Sequence, residues 1–292
     1  MRIAYVILAH QLPEQLIRLV RRLDSPGALF LVHINRRSDD AIYEAARAGL
    51  AELDNVVFLR RHKLYWGAFG HVRATIEGLD ELSRRASQFD YVALLTGQDY
   101  PIKPVSAIER MLAESGGRSF MAVDRLPGGL ADGMDRITYW HSRRIGKPRG
   151  WHLKLPLRRS FPQRLEPWGG SSYWWLSREA VDYVRRFTVD HPGFYRFFKH
   201  VDVPDEIFFH TILMNSPLRD SVVSDELRYV DWTRKPWPAI FGIGDLETFQ
   251  RSPKLLARKF DSSVDSEILD LIDRELLVEP GPPAPLADAY DD

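Results

Sequence analysis

The chain has 292 residues, 45% hydrophobic and 27% charged, an ordinary globular composition with ample length for a sizeable core. Its 40 Lys and Arg balance 40 Asp and Glu, so no charge excess points to a nucleic-acid partner. Cys is absent, which excludes disulfides, thiolate metal sites and thiol catalysis, and no apolar run approaches the roughly 18 residues of a membrane span.

The first apolar run, residues 3–9, reads as a buried strand rather than a signal peptide. It is short and passes directly into His10-Gln11 with no cleavage-site context. A cytosolic protein is therefore expected. Further strands are expected at 29–34, 56–59, 91–95 and 119–123, alternating with helices at 14–23, 39–51, 68–85 and 105–114. In the third helix Phe69, Val72, Ile76, Leu79 and Leu82 recur at helical spacing, and Ser106-Ala107-Ile108-Glu109 has the form of a capping box in the fourth. Such alternation predicts an α/β fold with a mostly parallel sheet and ligands at the carboxyl ends of its strands.

The pattern breaks after Val123. Residues 136–164 read as a loop carrying nine Lys or Arg and no acid. A strand at 171–176 and a helix at 177–187 follow, and another helix opens at Pro204-Asp205-Glu206. A short strand at 227–230 precedes a loop at 231–239, and a last helix covers about 264–277. Residues 279–292, rich in Pro and acids, read as a disordered tail. No repeat or flexible linker divides the chain, so a single domain over 1–278 is expected.

There is no Gly-x-Gly-x-x-Gly, Walker loop, Gly-x-Ser-x-Gly or His-Glu-x-x-His, which counts against hydride transfer, P-loop phosphoryl transfer, α/β-hydrolase and zincin chemistry. Polar clusters follow three expected strands: His10-Gln11, His33-Ile34-Asn35 and Thr96-Gly97-Gln98-Asp99-Tyr100-Pro101. Each alone is ordinary turn chemistry, but three on a parallel sheet converge on one edge. At Pro204-Asp205-Glu206 the acids either complement a helix dipole or hold a carboxylate rigidly enough to take a proton from a hydroxyl. Trp174 and Trp175 sit in an apolar strand and read as core, whereas Trp66 and Trp232 lie near loops where a sugar face can stack. The basic pairs Arg234-Lys235 and Arg258-Lys259 are either solvated surface or a diphosphate clamp.

In their order and spacing, several motifs resemble the family of core-2/I-branching β-1,6-N-acetylglucosaminyltransferases and protein O-xylosyltransferases, glycosyltransferase family 14, over residues 3–270. They are Leu31-Val32-His33-Ile34-Asn35, Tyr65-Trp66-Gly67, Leu94-Leu95-Thr96-Gly97-Gln98-Asp99-Tyr100-Pro101-Ile102-Lys103, Gly170-Ser171-Ser172-Tyr173-Trp174-Trp175-Leu176-Ser177, Pro204-Asp205-Glu206 and Ala257-Arg258-Lys259-Phe260-Asp261, together with the first strand.

The resemblance implies a GT-A-like, Rossmann-like domain with a nucleotide-sugar half at 1–123 and an acceptor and catalytic half at 124–278. It implies a UDP-sugar donor, most readily UDP-GlcNAc or UDP-xylose, inversion at the anomeric carbon, and no required metal or other cofactor. Glu206 matches the catalytic base and Lys259, beside Arg258, a cation on the donor diphosphate. A second such cation falls near Arg234 or Lys235. Trp232 matches an acceptor-stacking aromatic and Asp124 an acceptor-binding acid, with Arg136 just beyond it on the acceptor side. His10, His33, Asn35, Trp66, Gly67, Gln98 and Asp99 fall on the donor side. The family usually has Asp where this chain has Asn35.

Where metal-dependent transferases carry Asp-x-Asp, this chain reads Gly97-Gln98-Asp99, with one carboxylate, while a hard cation prefers several oxygens. Arg and Lys are left to neutralise the leaving group. A metal-dependent transferase using Asp99 with Asp202 or Asp205, a non-catalytic nucleotide- or glycan-binding protein, and a glycoside hydrolase with a second carboxylate about 5–9.5 Å from Glu206 are the alternatives. The acceptor is a glycan, a lipid-linked sugar or a protein. In segment 136–164 the cations interleave with Trp140, Trp151, Leu153, Leu155, Leu157 and Phe161, which suits a peripheral contact at the inner membrane face.

Overall fold

The computed structural model describes residues 1–85, 88–128, 133–144 and 151–279. The expected tail lies outside the described residues except for Glu279. In chain order the strands are β1 (Ile3–Ala9), β2 (Leu29–Ile34), β3 (Val56–Phe58), β4 (Tyr91–Thr96), β5 (Asp99–Pro101), β6 (Ser119–Met121), β7 (Asp124–Arg125), β8 (Tyr139–Arg144), β9 (Trp151–Arg158), β10 (Trp168–Gly169), β11 (Trp174–Ser177), β12 (Val222–Val223), β13 (Arg228–Val230) and β14 (Leu256–Arg258). The α-helices are α1 (Pro13–Leu23), α2 (Asp40–Gly49), α3 (Gly70–Arg84), α4 (Val105–Glu114), α5 (Met134–Thr138), α6 (Arg178–Asp190), α7 (Pro192–Phe198), α8 (Phe208–Met214), α9 (Leu246–Arg251) and α10 (Glu267–Glu275).

The main sheet has seven strands in the order β12-β6-β11-β4-β1-β2-β3. β1 pairs in parallel with β2 and β4, setting Val6 beside Leu31 and Leu94. β11 alone runs antiparallel, between β4 and β6. Every residue of β1 is buried. Ile3, Tyr5 and Ile7 pack with α1 and α10 on one face, and Ala4, Val6 and Leu8 pack with α3, α6 and α8 on the other. A strand covered on both faces needs an unbroken apolar run, which is what residues 3–9 supply. Because β11 and β12 join the sheet begun by β1, the sheet is continuous across the expected boundary at Val123.

Three expectations are corrected. Ser106 is no N-cap: α4 begins at Val105 after Pro104, and the Ser106 hydroxyl donates to Glu279 while Glu109 accepts from Ser25. Residues Pro204–Glu206 form a separate 3-10 turn, and α8 starts after Ile207. The described residues of segment 136–164, which are 136–144 and 151–164, do not form a loop. They finish α5 and continue as the antiparallel hairpin β8–β9, with a register shift after Tyr139 that leaves Pro156 free of the ladder. Leu153, Leu155 and Leu157 carry the period of two. The cations find acids outside the segment: Lys154 pairs with Asp135, Arg143 with Asp202, and Arg136 with Glu206. Arg159 instead closes the end of α7 by donating to the Phe197 and His200 carbonyls at 2.6 and 2.9 Å.

A smaller sheet, β13-β14-β5, fixes the site. β14 runs antiparallel to β5, which sets Arg258 opposite Asp99.

Candidate active site

Since β1, β2 and β4 are parallel, His10, Asn35 and the 97–99 turn leave the sheet at one edge. A Cβ at Gly97 would stand 3.2 Å from that of Ala9, so any larger residue there has to displace β1 by a few tenths of an ångström. Gln15, on α1, was not singled out from sequence. Its amide donates to the Gly97 carbonyl at 2.9 Å and accepts from the Ser262 N–H at 2.8 Å, while Gln98 exchanges bonds with the Phe260 backbone at 2.9 and 3.2 Å. The turn is thereby laced to the segment that follows Lys259.

Several strand-end side chains brace this edge. His33 is buried and accepts from the His62 N–H at 2.9 Å; burial lowers its pKa to about 4, so the ring is neutral. Asn35 mimics a strand toward Leu64, donating to its carbonyl at 2.9 Å and accepting from its N–H at 3.0 Å. A carboxylate in that place could not donate, so the bond to the Leu64 carbonyl needs the amide. Asp99 is 0% exposed, accepts from the Thr96 N–H at 2.5 Å, and pairs with Arg228, 1% exposed, at 2.8 Å. Arg228 also lies outside the residues chosen from sequence. The signal for it was indirect: a carboxylate in an apolar run needs a cation, but nothing local names which.

Desolvation lowers the pKa of His10, and the charges of Arg258, His71 and Lys259 add to this. The Arg258 guanidinium donates to the Thr96 hydroxyl at 2.5 Å and lies 4.9 Å from the Tyr173 ring centre, with Arg228 on the same ring at 4.2 Å. Among the described residues no carboxylate pairs with Arg258 or Lys259. Arg234 differs: it is held by Asp231 at 2.6 Å and Asp245 at 2.7 Å, and Lys235 lies over Trp237. The structure therefore leaves Arg258 and Lys259 without a carboxylate among the described residues and neutralises Arg234, while Lys235 rests on an aromatic face.

Glu206 closes the 3-10 turn. Its carbonyl accepts from Gly170 at 2.9 Å, and Gly170 has no room for a side chain, since a Cβ would overlap the Ala122 carbonyl. Its carboxylate accepts from Arg136 at 2.6 Å. Burial raises the Glu206 pKa, Asp205 and Asp202 add to this, and Arg136 only partly opposes it. Asp205 accepts from Ser172 at 2.9 Å, and Ser172 adjoins Tyr173 under Arg258, so the acid turn and the basic pair share one scaffold. Asp124 is exposed on β7, paired with Gly169 next to Gly170. Trp66 and Trp232 are 74% and 64% exposed. The Gly67 carbonyl accepts from Val203 at 3.0 Å and Arg143 lies over the Trp66 ring at 4.6 Å, which ties the Trp66-Gly67 corner to the Glu206 turn. A cavity of about 470 Å³ lined by Arg2, Phe89, Asp182 and Arg185 opens at the amino ends of β1 and β4, away from these groups.

The profile of the Core-2/I-Branching enzyme family matches residues 3–249, which include the strand-end cluster and Glu206 and stop short of Arg258-Lys259. Xylosyltransferase 2 of Rattus norvegicus is 27% identical over 317 residues, covering 99% of this chain and 35% of its own length. Xylosyltransferase 1 of Homo sapiens is 26% identical over 298 residues, covering 93% of this chain and 30% of its own. The chain thus spans about a third of the length of these relatives. With a family profile over most of its length and the Glu206 turn inside the match, this chain belongs to the Core-2/I-Branching enzyme family.

Proposed function

We propose that the chain is an inverting glycosyltransferase that moves a sugar, GlcNAc or xylose, from a UDP-sugar to a hydroxyl of a glycan, lipid-linked or protein acceptor. The observation that carries this reading is a carboxylate whose pKa burial raises, Glu206, joined through Asp205, Ser172 and Tyr173 to the unneutralised cations Arg258 and Lys259. Arg136 holds Oε2 of Glu206, which leaves Oε1 to accept the acceptor's proton as that oxygen attacks the anomeric carbon. The sugar's bond to the diphosphate breaks on the opposite side, and Arg258 and Lys259 stabilise the charge that develops on UDP. His10, at the end of β1, feels the charges of both cations. Asp99 is closed off by Arg228, which supports charge neutralisation by these cations instead of a metal held at Asp99. Trp232 and Asp124 offer a stacking face and a carboxylate to a sugar acceptor, and Trp66 an exposed ring on the donor side.

The test is UDP release from a panel of UDP-sugars. Glu206→Gln should keep donor binding by calorimetry and lose roughly two to four orders of magnitude in turnover. Near wild-type turnover removes Glu206 as the base. Turnover should not depend on added magnesium or manganese. A lipid-linked acceptor, or peripheral contact with a membrane, is favoured within this reading by Trp140, Leu153, Leu155 and Leu157, all exposed on the β8–β9 hairpin. Equal, negligible sedimentation with anionic and neutral vesicles would remove it.

A further inference from the structure

The hairpin carries a second cluster that the transfer reaction does not use. His141 on β8 and His152 on β9 stack with ring centres 5.1 Å apart, and His141 Nδ1 lies 2.8 Å from His152 Nε2. His152 Nε2 is 3.6 Å from Oδ1 of Asp202, in the segment that leads into Pro204–Glu206. These ligand atoms all lie within 4.8 Å of one another, and His141 and Asp202 are buried. The other ring nitrogen of His141 donates to the Asp135 carbonyl at 2.9 Å. That bond fixes the tautomer and turns the Nδ1 lone pair inward, as second-shell carbonyls do for metal-bound imidazoles.

We propose that His141 Nδ1, His152 Nε2 and Asp202 Oδ1 bind one borderline transition-metal cation, zinc foremost, which clips the β8–β9 hairpin to the catalytic turn. Two imidazoles and one carboxylate suit zinc, nickel or copper, whereas magnesium and calcium need more oxygens. With metal–ligand distances of about 2.0–2.2 Å, tetrahedral ligands stand about 3.3 Å apart. The 2.8 Å contact has to open and the 3.6 Å contact to close, each by a few tenths of an ångström, and His141 Nδ1 and Asp202 Oδ1, within 4.8 Å of each other, have to draw to the same spacing. Water fills the fourth position on the exposed His152 side. Arg143 is the competitor, since it binds both Asp202 oxygens, at 2.5 and 3.1 Å. On metal binding it keeps Oδ2 and becomes the carboxylate's outer partner, held by the Trp66 face at 4.6 Å. A two-stranded hairpin is marginal by itself, which gives such a clip a structural purpose.

The test uses the full chain, stripped of metal and titrated with zinc by calorimetry and with cobalt by visible absorbance. One tight site is expected, with the intense d–d bands of tetrahedral cobalt and a zinc-dependent rise in melting temperature. His152→Ala removes an exposed ring but also the partner of His141 Nδ1, so it should lower the metal-free melt only slightly while weakening zinc binding by more than about tenfold. Absence of binding, or equal binding in His152→Ala, overturns the site. The readout is metal binding, so it stands or falls independently of the transferase reading.

Discussion

Replacing Arg228 by Met tests whether Asp99 is a brace or a ligand-bearing group. The pair is 2.8 Å apart with both side chains at 0–1% exposure, so no water can replace the lost guanidinium. Arg228 also donates to the Leu94 carbonyl at 3.1 Å and covers the Tyr173 ring at 4.2 Å, so it joins the small sheet to β4 and to the scaffold under Arg258. Removing one partner of a buried ion pair leaves an uncompensated charge and costs about 3–5 kcal/mol. At about 2–4 °C per kcal/mol for a chain of this class, the melting temperature falls by about 6–20 °C. Asp99→Asn removes the charge while keeping an oxygen for the Thr96 N–H, so Arg228→Met with Asp99→Asn should recover much of the loss. Urea denaturation of the four proteins gives the coupling, expected to exceed about 1 kcal/mol. A drop below about 1 kcal/mol in Arg228→Met, or strict additivity, refutes the brace. So does an Asp99→Asn enzyme of normal stability whose lost activity returns with manganese, which is the outcome a metal-dependent transferase predicts.

Glu206 supplies a pH prediction with a definite sign. Its folded pKa lies above the ordinary value, so its contribution to stability is intact in acid and lost as pH rises through the folded pKa. Glu206→Gln should therefore melt higher than wild type at pH 8 but not at pH 4, and the wild-type turnover should fall in acid with its inflection above 4.5. Lys259→Ala should lower kcat/KM by roughly 10- to 150-fold, the worth of one charged hydrogen bond to the leaving group, and should weaken UDP binding; unchanged values of both would exclude the clamp. Asn35→Asp loses the donation to Leu64 and sets a carboxylate against a carbonyl, so the urea midpoint should fall by the equivalent of about 1–3 kcal/mol. An unchanged midpoint would show that Asn35 does not hold the Leu64 corner.

The elements that were legible are those whose signal is local. The run at residues 3–9 and the spacing of Val72, Ile76, Leu79 and Leu82 reach the observed bounds within two residues, because burial on both faces or along one stripe writes itself into adjacent positions. The hairpin at Tyr139–Arg158 was hidden behind its charge: Asp135, Asp202 and Glu206, which pair with its cations, lie outside the segment, so counting acids within it suggests a solvated loop. The reversed direction of β11 was equally unreadable, since strand orientation depends on partners and not on the strand's own residues.

The site divides along the same line. The sequence by itself determined the α/β class, the polar edge after β1, β2 and β4, and, through its motifs, the family and the prominence of Glu206, Arg258 and Lys259. Only the tertiary structure decided which polar residues are spent on holding the edge in place. His33, Asn35, Gln98 and Asp99 look alike in sequence to groups that bind, yet each spends its hydrogen bonds on His62, Leu64, Phe260 or Arg228. Among the described residues Lys259 stays without a carboxylate while Arg234 is neutralised twice. The physical reason is that a charge or hydrogen-bonding group is satisfied by whatever lies within about 3 Å in space: the chain brings up His62 and Leu64 when β3 pairs with β2, and Arg228 and Phe260 when β5, β13 and β14 close the small sheet beside the main one.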